Sequence, residues 1–406
     1  MPADGPLKRR TKIAVVIGTL EVGGAELDIV RNFPQLNRDE FDVIVLAYER
    51  AGILAPELQR QGIRVIAGDL GTPAVSKSWL MRRIRTVAYL SRVVPWIGHA
   101  LRAEQVDIAH FFLPNSYGYG MLACMLMRSK VRRVMSRLSL NFYSDTNAML
   151  AWLERSVLHA RVDIAIGNSR PILGELAEEG VDPAKLRLLH NGIDPAPFER
   201  HSGDRKKARE EIGIAQDTYV ILAVGNLHTY KGHADLIEAC ALAAEQMPTG
   251  WRLLIAGRDQ EGNRATLDAL AAACGVAANV SFLGERDDVP LLLSAADVFA
   301  HPSHHEGLPN SIIEAMSASL PVIGTSVGGI PEAVLALSAG VGSDEETGWL
   351  VPPKDPDAIG AALVEASKEV DRRIQMGERA RERAVAEFSL ERSIEAYERI
   401  FRELQT

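Results

Sequence analysis

The chain has little of what would staple it, anchor it or load it with metal. Only three cysteines occur in 406 residues, Cys124, Cys240 and Cys274. They lie far apart in apolar segments, which excludes a disulfide framework or paired zinc spacings and suits buried thiols in a reducing compartment. No apolar run approaches the roughly 18 residues of a membrane-spanning helix. Internal repeats and low-complexity tracts are absent. The G-x-G-x-x-G spacing of a dinucleotide fold is missing too, because the first apolar run leads into Gly18-Thr19-Leu20-Glu21-Val22-Gly23-Gly24. That argues against a dinucleotide-dependent dehydrogenase. Met1–Arg10 is polar and basic, and reads as a disordered start in place of a signal peptide.

What is present describes an ordinary globular protein, with 47% hydrophobic and 24% charged residues. A chain of this length exceeds one typical core, so two domains of roughly 200 residues are expected. Charge is unevenly placed. Residues 1–190 carry 25 Lys and Arg against 19 Asp and Glu, a net of +6; the remainder carries 20 against 34, a net of −14, and together they return the overall −8. The first half is therefore suited to an anionic partner, and the second should repel nucleic acid and anionic lipid.

Lys12–Thr19 reads KIAVVIGT, a continuous apolar run suited to a strand buried on both faces. A helical pattern follows from Ala25 to Leu36. Further strands are expected at Asp42–Tyr48, Arg64–Ile66, Asp107–Phe112, Val131–Leu138 and Asp163–Asn168, with helices between them. The turn-rich stretch Asn191-Gly192-Ile193-Asp194-Pro195-Ala196-Pro197 marks a boundary. A second series then places strands at Val220–Leu227, Trp251–Gly257, Val280–Gly284, Asp297–Pro302 and Pro321–Thr325. This alternation predicts two parallel-sheet α/β domains, 1–194 and 195–388, with ligands at the carboxyl ends of the strands in a cleft between them. Ser389 is a candidate N-cap for a last helix, 389–406.

The densest chemistry lies in His304-His305-Glu306-Gly307-Leu308-Pro309-Asn310-Ser311-Ile312-Ile313-Glu314-Ala315-Met316. Two carboxylates flank a Gly-containing turn that opens an apolar helix, whose start favours a phosphate. Eight residues of helix span about 12 Å, so Glu306 and Glu314 cannot serve one atom but can grip two ends of an elongated ligand. A nucleotide-sugar has that shape. His301, His304 and His305 beside Glu306 raise a metal reading, but their spacing is not that of a zinc site, so no metal is expected.

The 304–316 pattern resembles the E-x7-E signature of retaining glycosyltransferases of family 4. Val224-Gly225-Asn226-Leu227 with Lys231-Gly232, the turn His190-Asn191-Gly192-Ile193-Asp194, Gly167-Asn168-Ser169 and Gly23-Gly24-Ala25-Glu26 are similar to other elements of that family, in the same order. The resemblance implies a GT-B fold of two doubly wound Rossmann-like domains facing a cleft, the last helix crossing back to the first domain. The donor would be a nucleotide-diphosphate-sugar, expected to be a UDP-sugar, carried by Gly23, Gly24, Asn226, Lys231, Glu306, Gly307, Leu308, Asn310 and Glu314. Lys231 would carry diphosphate charge, Glu306 would accept from sugar hydroxyls and Glu314 from the ribose. The family usually has Arg where Asn226 stands, which shifts more of the diphosphate charge onto Lys231. Pro309 has no N–H to offer phosphate.

Family members often carry H-x-H at the position of His110-Phe111-Phe112. With Phe112 in the second place, His110 or Asn115 is the candidate to substitute, His110 as a catalytic group. A core histidine at a strand end fits the residue equally. Asn115, Arg137 and Asn141 are acceptor-contact candidates. Residues 78–102 hold Arg82, Arg83, Arg85, Arg92 and Arg102 beside Trp79, Leu80, Met81 and Trp96, and a second basic cluster follows at Arg128, Lys130, Arg132 and Arg133. Such helices suit an anionic membrane surface, and Pro95 is expected to split this one into two pieces. The resemblance implies retaining transfer of a hexose to a glycan or lipid-linked acceptor in bacterial polysaccharide or glycolipid synthesis, in the cytoplasm or peripheral to the cell membrane. It implies no cofactor, no obligatory metal and no nucleic-acid partner. A nucleotide-sugar 2-epimerase on the same fold and a non-catalytic nucleotide-sugar-binding module are the alternatives.

Overall fold

The computed structural model describes residues 9–72, 78–139, 152–202 and 205–405. The chain divides into two compact units, Met1–Gly192 with Leu390–Thr406, and Ile193–Ser389.

The first unit is built on seven parallel strands: β1 (Thr11–Ile17), β2 (Phe41–Ala47), β3 (Arg64–Ala67), β4 (Ile108–Phe112), β5 (Arg132–Arg137), β6 (Ile164–Gly167) and β7 (Leu186–Leu188). Their order across the sheet is β3-β2-β1-β4-β5-β6-β7. The strand order reverses between β1 and β4, which are paired in register at Ile13–Ile108 through Val16–Phe111. In β1, Ala14 and Val16 enter the core on one face, while Ile13, Val15 and Ile17 enter the core on the other. Alternation in a strand covered on both sides is why the run is apolar throughout. The last helix, Leu390–Glu403, packs Tyr397, Ile400 and Phe401 into the same core as Phe33 and Phe41. Its Tyr397 hydroxyl donates to buried Asp28 Oδ2 at 2.7 Å.

Pro95 lies inside one helix of 25 residues, Trp79–Ala103, not between two shorter pieces as expected. A proline inside a helix costs about 3 kcal/mol. Burial of Val93, Val94, Ile97 and Leu101 against the sheet offsets this, at roughly 1.5–3 kcal/mol per side chain.

The second unit has six parallel strands: β8 (Val220–Val224), β9 (Arg252–Ala256), β10 (Val280–Gly284), β11 (Val298–His301), β12 (Val322–Thr325) and β13 (Gly348–Val351). Their order is β10-β9-β8-β11-β12-β13, with the reversal between β8 and β11. Here too alternate residues divide between two cores, Ile221 and Ala223 on one face, Val220 and Leu222 on the other. The short strands β7 and β13 were not anticipated from sequence. Three or four residues carry too little alternation to read.

Candidate active site

In the second unit, the loops after β8, β11 and β12 converge at the carboxyl edge of the sheet, where the strand order reverses. The loop after β8 closes through Thr229–Lys231 into the helix His233–Ala243. Gly232 adopts φ +70°, and a Cβ there would sit 2.0 Å from Pro302 O, so only glycine lets this turn lie against the loop after β11. Tyr230 O accepts from His304 N at 2.7 Å and locks the two loops together.

This closure brings Lys231 Nζ to 2.6 Å from Glu306 Oε1. The same oxygen accepts from Ser303 Oγ at 2.8 Å and pairs with His301 Nε2 at 2.9 Å. All three bonds fall on Oε1. Burial would raise the Glu306 pKa, but Lys231 and His301 outweigh it and bring the carboxyl down to about 2. Glu306 is thus an anion at neutral pH, its orientation fixed through one oxygen. Burial pushes the His301 pKa below its ordinary range, against the upward pull of Glu306.

The backbone beneath Glu306 is equally constrained. Gly328, with φ +52°, lies so close that a Cβ would stand 1.8 Å from Glu306 O. Gly329 N donates to Gly307 O at 2.7 Å. The turn then runs through buried Leu308 into the helix Asn310–Ser317, with Pro309 as its N-cap and no side-chain capping bond. Asn310 and Glu314, four residues apart, share one face of this helix. Glu314 is half-buried, while Ile312, Ile313, Ala315 and Met316 are all buried in the core. The Lys231–Glu306 pair, the helix start and a second carboxylate one turn on therefore form one continuous strip.

Asn226 is partly committed to structure. Its Oδ1 accepts from Arg258 N at 3.2 Å and joins the loops after β8 and β9. His304 Nε2 lies 2.6 Å from Asp235 Oδ2. Among the described residues no group of three His, Cys, Asp or Glu is placed to hold a metal ion.

In the first unit, Gly23 and Gly24 follow β1 at the start of the helix Gly24–Asn32. Gly23 has an extended backbone, and a Cβ on Gly24 would meet nothing within 4 Å. Packing and conformation therefore do not require glycine at 24. Asn115 is exposed in the first turn of the helix Pro114–Leu126, just past β4.

Two site expectations in this unit are corrected. His110 is fully buried, not at a free strand end. Strand β4 continues to Phe112, so the two-residue period sets His110 on the core face between Ile108 and Phe112. Its ring lies 4.5 Å from that of Phe112 and 5.7 Å from Phe33, and Nε2 pairs with Ser136 Oγ at 2.7 Å. Burial lowers its pKa to about 3, which favours a neutral ring packed in the core. Arg137 is also buried, with Nη1 donating to Glu179 Oε2 at 2.7 Å. His159 joins the same carboxylate and Tyr117 joins His159, so Arg137 belongs to an internal network of the first unit. Asn141 lies outside the described residues.

Comparison with known proteins gives the family and the fold. Residues 22–197 match the family described as Glycosyltransferase Family 4, and residues 204–383 match Glycosyl transferases group 1. A D-inositol 3-phosphate glycosyltransferase of Salinispora tropica is 30% identical over 93% of this chain and 80% of its own. The chain belongs to glycosyltransferase family 4. The same-named protein of Kineococcus radiotolerans aligns over less, 57% of this chain and 55% of that relative, at 32% identity. Anabaena HepE, solved in complex with UDP-glucose, superposes with a TM-score of 0.79 over 97% of this chain and all of its own, at 20% identity. The fold is thus that of the GT-B glycosyltransferases.

Several parts of this glycosyltransferase were missed by sequence reasoning. His301 and Ser303 fix Glu306, yet both sit in a histidine-rich stretch that drew attention as a metal question. Gly328-Gly329 followed the apolar run of β12 and was readable as a strand-end glycine loop. Leu113, with φ 69° and ψ 153°, occupies a region that is nearly glycine-only, at the exposed carboxyl end of β4. Nothing in its residue type announces that. The Gly167-Asn168-Ser169 and His190-Asn191-Gly192 elements serve the fold of the first unit, Asn168 Nδ2 donating to Asn191 Oδ1 at 3.2 Å.

Proposed function

We propose that this chain transfers a hexose from a UDP-sugar to a hydroxyl of a glycan or lipid-linked acceptor, with retention at the anomeric carbon and without an obligatory metal. The observation that carries this reading is the Glu306 carboxylate, held through Oε1 by Lys231, His301 and Ser303 at the head of the Asn310–Ser317 helix. Lys231 provides a compact positive charge for the departing diphosphate, which supports metal-free departure. The helix start favours the phosphates, and Glu314, one turn on, would accept from the ribose hydroxyls. Glu306 accepts from the sugar hydroxyls through its second oxygen.

Retention follows if the acceptor enters on the face from which the diphosphate leaves. As positive charge builds on the anomeric carbon, the acceptor hydroxyl bonds to it and passes its proton to the leaving phosphate oxygen. The protein contributes positioning and charge, which accounts for a site lacking an acid–base carboxylate pair. Gly24, where packing leaves room for any side chain, suits close approach of a ligand to the backbone. The D-inositol 3-phosphate relatives support a polar, phosphate-bearing acceptor as readily as a glycan. The basic first half supports work at an anionic membrane surface, inside the cell, in polysaccharide or glycolipid assembly.

The test is incubation with a panel of UDP-hexoses and candidate acceptors, followed by NMR of the product's anomeric proton. An α-linked product from an α-donor is expected. A β-linked product would overturn retention, and a 2-epimerised nucleotide-sugar formed without acceptor would overturn transfer.

A further inference from the structure

The first unit carries a pocket of about 680 Å³ at the amino ends of β1, β4 and β5, the edge of the sheet opposite to Gly23, Gly24 and Asn115. Arg9, Arg10, Arg102, Arg128, Lys130 and Arg132 line it, against one carboxylate, Asp107. Asp107 is already engaged by Arg9 at 3.2 Å and by Lys12 N at 2.8 Å. The floor is apolar, formed by Leu101, Val106 and Ile108. The volume falls within the roughly 300–1,000 Å³ of small-ligand sites, and the charge excess is of one sign.

Basic side chains near helix carboxyl ends complement the helix dipole, and that role alone would explain Arg102 and Arg128. The backbone says more. The helices Trp79–Ala103 and Pro114–Leu126 both end in Schellman-type turns, with Val106 N bonded to Leu101 O at 3.1 Å and Ser129 N to Cys124 O at 2.9 Å. The left-handed residue in such a turn is usually glycine. Here it is Gln105, φ 52°, in one and Arg128, φ 47°, in the other. Both residues line the pocket. Each helix end thus keeps a long polar side chain at a position where glycine is less strained, and both do so around the same cavity. Dipole complementation does not need this, because Lys130 and Arg132 lie within a few residues.

We propose that this pocket is a binding site for a phosphate-rich anion, separate from the Glu306–Lys231 site in the other unit. The ligand has several phosphate groups or one phosphate on a polar head, so that the guanidinium groups engage it through charge-assisted hydrogen bonds. A soluble polyphosphorylated compound and a phospholipid headgroup share that chemistry.

Tripolyphosphate and vesicles of phosphatidylcholine with phosphatidylglycerol are the probes, used on the 406-residue chain carrying Lys231→Met to silence the candidate phosphate-binding cation of the second unit. The Arg128→Gly, Lys130→Ala variant in that background removes two cations while relaxing the left-handed turn, so its melting temperature should hold or rise. Its affinity for tripolyphosphate is expected to fall roughly tenfold or more (~1.4 kcal/mol). Parallel loss of vesicle binding assigns the headgroup as the source, and tripolyphosphate loss alone assigns a soluble anion. Loss of vesicle binding alone likewise supports the site, with a headgroup as its occupant. Failure of both probes to bind before the two pocket substitutions, or unchanged binding of both after them, overturns the proposal. A protein inactive in sugar transfer would leave this result unchanged, so the two readings fail separately.

Discussion

Replacing Lys231 by methionine should destabilise the second unit as well as disable the site. In the native protein the Lys231 ammonium lies 2.6 Å from Glu306 Oε1, with only 18% and 12% of the two side chains exposed. The carboxyl falls from an ordinary 4.5 to about 2 in the fold. Each pH unit is worth about 1.4 kcal/mol, so the partners of Glu306 hold its charged form by roughly 3 kcal/mol. A depressed acid contributes stability above its unfolded pKa and loses it as pH falls through the folded value. The contribution is therefore whole at pH 7 and disappears between about pH 4.5 and 2. Lys231→Met leaves the buried anion without its ammonium partner. His301 shares in the shift, so the loss is at most roughly 3 kcal/mol, which in a unit of about 200 residues lowers the melting temperature by up to about 6–12 °C. Calorimetry at pH 7 on Lys231→Met, Glu306→Gln and the double variant provides the cycle. The double variant should melt well above the position obtained by adding the two single shifts, since neither charge is then stranded. A single-variant shift under about 2 °C, or strict additivity, would refute the ion-pair reasoning.

Other outcomes follow from the same structure. Leu113→Gly should raise stability by about 1–3 kcal/mol by releasing its left-handed backbone, and should lower turnover if the strain positions the loop after β4; urea unfolding with a kcat measurement decides both. Asp28, buried and raised to about 6 from 3.8, stabilises the fold most when protonated, so stability should drop by roughly 3 kcal/mol as pH rises from about 4 through 6. Asp28→Asn should flatten that stretch of the pH–stability curve, and an unchanged slope would show that the proton resides elsewhere. His110→Gln should leave kcat within about threefold of wild type while destabilising the first unit by about 1–3 kcal/mol, because its ring is packed and bonded to Ser136. A hundredfold loss in kcat with an unchanged melting temperature would restore it to the site.

Much of the fold was legible because parallel strands covered on both faces must be apolar end to end, as in Lys12–Thr19. The strip at 304–316 was legible because a Gly turn, a helix start and two carboxylates are adjacent in sequence. Residues joined only by tertiary contact were harder to place. The sequence puts Lys231 and Glu306 seventy-five positions apart, and the 2.6 Å pair depends on Gly232 fitting against Pro302. Arg137 read as an acceptor contact because its partner Glu179 comes from another element, 42 residues on. His110 was ambiguous because a strand's last residue and its third differ only in where pairing stops. Pro95 misled because local propensity ignores four buried side chains around it.

The most direct test of the central claim is calorimetric titration of UDP, GDP, ADP and NAD into wild-type protein and Glu314→Ala. Binding of UDP by the wild type, weakened at least about tenfold in the variant by loss of the ribose contact, is the predicted result. Binding of NAD with no response to any nucleoside diphosphate would contradict the assignment of Glu306, Lys231 and the Asn310–Ser317 helix as a nucleotide-sugar site.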